Sequence, residues 1–128
     1  MRREARIKAM QILYTMDFNS STIEEAIDSV MDEEYDELAV EIAKNCVLNL
    51  EKIDALIVSS LERYTIDRLN LVDKAIVRIA VSEMLGDSPR GVIINEALEI
   101  TKLFSDQGDK KATSFNNRLL DNINKKIK

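Results

Sequence analysis

The chain has 128 residues, 45% hydrophobic and 32% charged, enough for one domain or two very small halves sharing a core and too apolar for general disorder. Its 3 Gly and 1 Pro disfavour a turn-dense β-sandwich or barrel; with no His, no Trp and Cys46 as its single cysteine, it has no histidine acid–base chemistry, disulfide framework, Cys-rich zinc site or CxxC redox pair. No apolar run reaches the roughly 20 residues of a membrane span and no signal-peptide pattern opens the chain, so a cytoplasmic, mostly helical protein without metal or cofactor is expected.

Residues 3–17 form the first predicted helix, with Ala5, Ala9, Ile12, Leu13 and Met16 on one stripe and Ile7, Met10 and Tyr14 on a second face. A helix apolar on two faces sits in the middle of a bundle or lends one face to a partner. Its first turn, carrying Arg2, Arg3 and Arg6, is expected to be exposed. Ser20-Ser21-Thr22 breaks the pattern, and Ser21 or Thr22 followed by Glu24 or Glu25 is a capping-box signature. It opens a short helix over about residues 22–31, with Ile23, Ala26, Ile27 and Val30 on one face. Beyond an acidic connector from Asp32 to Glu37, a long helix is predicted over about residues 36–63, in which Leu38, Ile42, Cys46, Leu50, Ile53, Ile57 and Leu61 recur every three or four residues. Cys46 in that stripe reads as a buried structural thiol. A kink near Asn49 to Lys52 is open to this helix, although no Pro or Gly forces it.

Tyr64 to Asn70 is a connector, with Asn70 able to cap the next helix and Asp73 at its third position. Residues 71–85 are apolar nearly all round, which marks a central buried helix. Glu83 falls within the Val72, Ile76 and Ile79 stripe, so its carboxylate needs a partner, either an arginine or a backbone donor. Gly86 ends that helix, and Ser88 as cap with Pro89 as first residue starts another, whose core stripe is Ile93, Ala97, Ile100 and Phe104. After a polar loop from Ser105 to Lys111, a last helix over about residues 112–126 turns Phe115, Leu119, Leu120, Ile123 and Ile127 inward, leaving Asn117, Arg118, Asp121 and Lys125 wet. Six or seven helices without a strand pattern make an all-α bundle.

The net charge of −5 divides unevenly: residues 1–8 carry +3, residues 110–128 carry +5 and the middle carries −13. Such a chain repels polyanions over its body and admits them only at its ends, which the fold is expected to bring together. Three scattered Gly build no phosphate loop, and no Ser or Lys sits at the spacing of a nucleophile and its base. The adjacent carboxylates Glu24, Glu25 and Asp32 to Glu34 read as a solvated face rather than a metal site. An enzyme is therefore not expected. The arginines of the first turn can fork onto phosphate oxygens and stack on unpaired bases. Phe115, at the start of a second basic helix, is either a stacking platform or a plain core residue.

One order of segments is distinctive. Arg2-Arg3-Glu4-Ala5-Arg6 leads into Ala9-Met10-Gln11-Ile12-Leu13-Tyr14, followed by Ile66-Asp67-Arg68-Leu69 and by Val72-Asp73-Lys74-Ala75-Ile76-Val77-Arg78-Ile79-Ala80. Then come Ile93-Ile94-Asn95-Glu96-Ala97-Leu98 and Ser114-Phe115-Asn116-Asn117-Arg118-Leu119-Leu120-Asp121. Over essentially its whole length the chain resembles the NusB family of bacterial transcription antitermination factors. The resemblance implies a single all-α domain over residues 1–128 made of two small helical bundles, with no catalysis. It implies binding of boxA-type single-stranded RNA together with the ribosomal protein NusE, and recruitment to elongating RNA polymerase with other Nus factors. Arg2, Arg3 and Arg6 match the family's arginine-rich RNA-binding start, and Phe115 and Asn117 match its last motif beside the RNA. Lys110 and Lys111 are expected to add phosphate contacts from the loop. Tyr14, Asp67 and Asp73 match positions facing NusE.

The chain departs from the family pattern at Ser114, where Lys is usual, at Arg118, where Gly is usual, at Tyr64, in place of a Trp, and in a longer loop from Ser105 to Thr113. A similar domain also opens some RNA cytosine methyltransferases, whose catalytic part would begin where this chain ends. The competing reading is a non-enzymatic helical module that forms a homodimer through the Ile7, Met10 and Tyr14 stripe and binds no RNA.

Overall fold

Seven α-helices account for most of residues 2–32, 34–62 and 65–127, which the computed structural model describes, and no strand occurs among them. They are α1 (Arg2–Asn19), α2 (Ile23–Val30), α3 (Glu37–Leu48), α4 (Leu50–Ser60), α5 (Leu71–Met84), α6 (Arg90–Phe104) and α7 (Lys111–Lys126). A short 3-10 turn, Ile66–Arg68, precedes α5. Glu33 and Tyr64 lie outside the described residues.

The apolar run of the central helix dictates the architecture. Every residue of α5 from Ala75 to Ser82 is buried, so α5 needs neighbours on all sides. α1, α2 and α3 pack together against one flank, and α4, α6 and α7 against the other. This is the two-bundle arrangement that the resemblance implies, with α5 shared between the halves. On α1 and α3, Ala5, Ala9, Ala39 and Ala43 are all buried, and such small side chains let two helix axes approach closely. Both stripes of α1 are used inside the chain: Met10 is 3% exposed, and Ile7 and Tyr14 pack half-buried against the core. Of the stripe expected for self-association, Met10 is thus taken up by the fold, while Ile7 and Tyr14 stay half exposed. Among the described residues, no helix is long and apolar enough to cross a membrane.

Local chemistry explains where the helices begin and end. Thr22 and Glu25 form the capping box: the Thr22 hydroxyl accepts from Glu25 N–H (3.2 Å), and the Glu25 carboxylate accepts from Thr22 N–H (2.9 Å). The long helix predicted for residues 36–63 is in fact two helices, broken at Asn49. The Asn49 amide donates to the Asn45 carbonyl (2.9 Å), and the Asn49 backbone (φ −108°, ψ 16°) leaves the helical path. Asn competes for backbone groups without needing Pro or Gly. The apolar stripe continues across the break, since Cys46, Ile53 and Ile57 are all fully buried. Two further expectations are corrected at α6. Pro89 lies before the first helical turn rather than within it, because its extended ψ of 121° is not helical, and no side chain caps that end. Phe104 is 45% exposed, and Thr101 closes the buried face instead.

Arg78, in the middle of the apolar helix, is the residue the sequence gives least warning of. Its guanidinium forks onto Asp54 (2.9 and 2.8 Å) and donates to Asp17 (3.0 Å), tying α1 and α4 to α5. Burial opposes its charge, but the two aspartates more than offset that and hold its pKa above the usual arginine value. Beside it the Cys46 thiol faces the Arg78 carbonyl (3.5 Å), and burial pushes its pKa up to about 12. Cys46 is therefore the inert structural thiol its position in the stripe predicts.

Candidate nucleic-acid interface

The arginine-rich start of α1 is bound to carboxylates from two other helices. Arg3 forks onto Glu96 of α6 (2.9 and 2.8 Å), and Arg6 forks onto Glu83 of α5 (2.7 and 3.0 Å). The third Arg6 guanidinium nitrogen lies 3.8 Å from Glu96, so the four residues form one chain of alternating charge across α1, α5 and α6. Arg6 is only 7% exposed, which corrects the expectation of an exposed first turn. The reason is geometric: α1 runs antiparallel to α5, and Arg6 lies at the level where Glu83 needs a cation. Glu83 has therefore found the arginine partner that its apolar stripe demands. The Arg3 guanidinium, hydrogen-bonded to Glu96, holds that carboxyl below the usual range. Arg2 is exposed and, among the described residues, in no ion pair; it borders a shallow cleft with Glu41 and Asn45 of α3.

The second basic group rests on a turn organised by one carboxylate. One Asp106 oxygen accepts from Gly108 N–H (2.9 Å) and Lys110 N–H (3.1 Å), and the other accepts from the Thr113 hydroxyl (2.6 Å). The Thr113 hydrogen bond, with help from those backbone donors, holds the Asp106 carboxyl below its ordinary value. Asp109 in turn accepts from Lys111 N–H (3.1 Å). Gly108 and Lys110 both have positive φ, 92° and 62°, so the turn closes through two left-handed residues. The longer loop is thus a built turn that presents Lys110 and Lys111 to solvent at the start of α7. Asn117 and Arg118 are exposed one to two helical turns further on.

Phe115 is half-buried and packs against the core, while its neighbour Asn116 is fully buried and heads the inner face of α7 in its place. The Asn116 amide donates to Asp73 of α5 (3.1 Å) and to the Thr101 hydroxyl of α6 (3.1 Å), pinning α7 to both. Asp73 shares a cleft with Asn70, Ser105, Lys111 and Phe115, so a position matched to the NusE side lies among positions matched to the RNA side. Asp67 is exposed in the 3-10 turn. Tyr14 is half-buried, its ring stacked on Phe18 with centroids 5.6 Å apart.

The two basic groups do not meet. The arginines gather at the C-terminal end of α5, around Glu83, and the lysines at its N-terminal end, around Asp73. The ten residues between those levels span roughly 15 Å of helix. Three residues that organise these groups carry no clear mark in the sequence pattern or only a faint one: Glu96, Asp106 and Asn116. Only Asn116 has a usable signal, since it falls in register with Leu119, Leu120 and Ile123.

Comparison with known proteins decides the family. The NusB family pattern matches residues 3–125. The chain belongs to the NusB family. The transcription antitermination protein NusB of Listeria innocua is 39% identical over 124 residues, which is 95% of this chain and 94% of that relative. The crystal form of T. maritima NusB matches with a TM-score of 0.85 and 32% identity, covering 99% of this chain and 92% of that one. A chain from the crystal structure of the antitermination factors NusB and NusE in complex with double-stranded RNA matches with a TM-score of 0.84 and 28% identity, covering 98% of this chain and 96% of that one. The NusB assignment accounts for the all-α fold and for the segment order from the arginine start to the Phe115 motif.

Proposed function

We propose that this chain is a transcription antitermination factor that binds boxA-type single-stranded RNA together with NusE and joins elongating RNA polymerase with other Nus factors. The observation that carries this reading is the likeness, along 98% of the chain, to a chain of the NusB–NusE–RNA structure. The geometry supports a division of labour among the matched residues. Lys110 and Lys111 offer charge to phosphates from a fixed turn, and Phe115 and Asn117 continue that surface along α7. Arg2 offers charge at the other end of α5, with Arg3 partly committed to Glu96. Arg6 acts by holding α1 in place rather than by touching RNA. Tyr14, Asp67 and Asp73 form the NusE side, where an acidic body suits a basic ribosomal protein. No step of this function calls for catalysis or a cofactor. The self-association alternative is less favoured, because Met10, the middle of its stripe, is buried within the chain and Ile7 and Tyr14 are half-buried.

The test is a titration of labelled boxA-type RNA, single-stranded and as a duplex, with and without NusE, over a series of salt concentrations. Salt-dependent binding of the single strand, tightened by NusE, is expected. No binding at any salt, with or without NusE, overturns the reading.

A further inference from the structure

A cleft of about 350 Å³ lies between the C-terminal end of α4 and the flank of α7 that carries Phe115, Arg118, Leu119 and Asn122, within the size range of small-ligand sites. Ser60, Glu62, Phe115, Arg118, Leu119 and Asn122 line it. Ser60 is 7% exposed, yet its hydroxyl has no hydrogen-bond partner among the described residues. Its neighbour Ser59 shows the usual outcome, donating to the Leu56 carbonyl (3.0 Å) and meeting the Lys126 ammonium (3.2 Å). A buried hydroxyl without a partner forfeits a bond it would have in water, and a polar ligand edge in the cleft would restore it. Arg118 is exposed and in no ion pair among the described residues, so its planar cation is available to the same occupant.

The wall chemistry selects the occupant. Arg118 supplies a flat cationic surface, Asn122 supplies both a donor and an acceptor, and Ser60 supplies a hydroxyl that can do either. Glu62 at the rim repels a phosphate but accepts from an amino group. This is the donor set for an unstacked base rather than for a backbone phosphate.

We propose that the cleft receives one unstacked base of the bound RNA, with the Arg118 guanidinium over its face and Ser60 and Asn122 hydrogen-bonded to its polar edge. The inference rests on the RNA-binding reading above and extends its path, because Phe115 lines both this cleft and the one beside Lys111.

The experiment uses the full chain with NusE and a set of boxA-type RNAs, each lacking one base while keeping its phosphate. For the parent, loss of one particular base should weaken binding roughly five- to hundredfold, the range for one stacked base. Arg118→Gln should weaken binding of intact RNA within that range, and Ser60→Ala by roughly two- to tenfold. Neither should lose anything further on the RNA lacking that base. Arg118→Gln should also leave the slope of log affinity against log salt unchanged. Both variants should keep the parent's helical signal, since one alters an exposed side chain and the other removes a hydroxyl that has no partner among the described residues. Losses that add for every base, or a salt slope flattened by roughly 0.7, overturn the base pocket while leaving the RNA reading intact. A parent chain that binds none of the RNAs overturns both.

Discussion

At the C-terminal end of α5, cations meet carboxylates in matched forks; at its N-terminal end, exposed lysines stand on a turn whose carboxylates are already engaged by backbone and hydroxyl donors. Both ends look alike as clusters of positive charge in the sequence. The difference is one of pairing. Arg6 is a structural cation because Glu83 and Glu96 surround it, whereas Lys110 and Lys111 keep their charge for solvent or a ligand because Asp106 and Asp109 turn their oxygens to the loop itself. A charge count therefore locates candidate anion sites, but only partners in the fold separate the cations that hold the protein together from those that can reach outward.

The sharpest way to break this contrast is to remove Arg6. Arg6→Ala leaves the part-buried Glu83 without its mate and should cost about 3 kcal/mol, read from the urea midpoint. Glu83→Ala should cost a similar amount, and the double variant less than the two together. An unchanged midpoint in Arg6→Ala would return that arginine to the RNA-facing surface. Next in size is Asn116→Ala, which strips Asp73 and Thr101 of their shared donor and should cost about 1–3 kcal/mol in the same assay. Equal stability there would mean that α7 is held by its apolar face alone.

Lys110→Ala with Lys111→Ala should do the opposite. Stability should stay within about 0.5 kcal/mol, while RNA binding weakens and the salt slope flattens by roughly 0.7 for each phosphate left without its cation. Arg3→Ala, whose guanidinium already serves Glu96, should flatten the slope less; a larger effect from Arg3 than from the two lysines would reverse the comparison. The smallest effect concerns acid. The Glu96 and Asp106 carboxyls are both held below their ordinary values, so each contributes stability that is fully present above the usual carboxylate range and lost as pH falls through the depressed value. Melting temperature should fall on acidification below about pH 4. Glu96→Gln and Asp106→Asn should each make that fall shallower, and an identical acid profile in both variants would show that neither fork nor turn feels its carboxylate's charge.

Most of the helices are legible in the sequence because their signals are local. Thr22 and Glu25 announce a cap three residues apart, and the stripe through Cys46, Ile53 and Ile57 gives the buried face of α3 and α4. A kink near Asn49 to Lys52 is open from the sequence, but its sharpness is masked by that same stripe, which runs on in register through the corner. Glu83 announces its need for a partner, but the partner lies 77 positions away, and Arg3 and Glu96 are 93 positions apart. Nothing in a periodic pattern tells an arginine on a first turn that a carboxylate from another helix will cover it. Apolar periodicity puts Phe115 at the head of the inner face of α7, yet Asn116 takes that place because Asp73 and Thr101 offer it hydrogen bonds inside.

The buried thiol at the seam of α3 and α5 makes the molecule its own reporter. Cys46 is the single cysteine of the chain, fully enclosed and facing a carbonyl of the helix that both bundles share. A thiol-specific reagent can reach it only when α3 lifts from α5, so the rate of alkylation in native buffer measures how often the shared helix is uncovered. Saturating RNA and NusE should slow that labelling if they hold the two halves closed on α5, with no tag or engineered probe required.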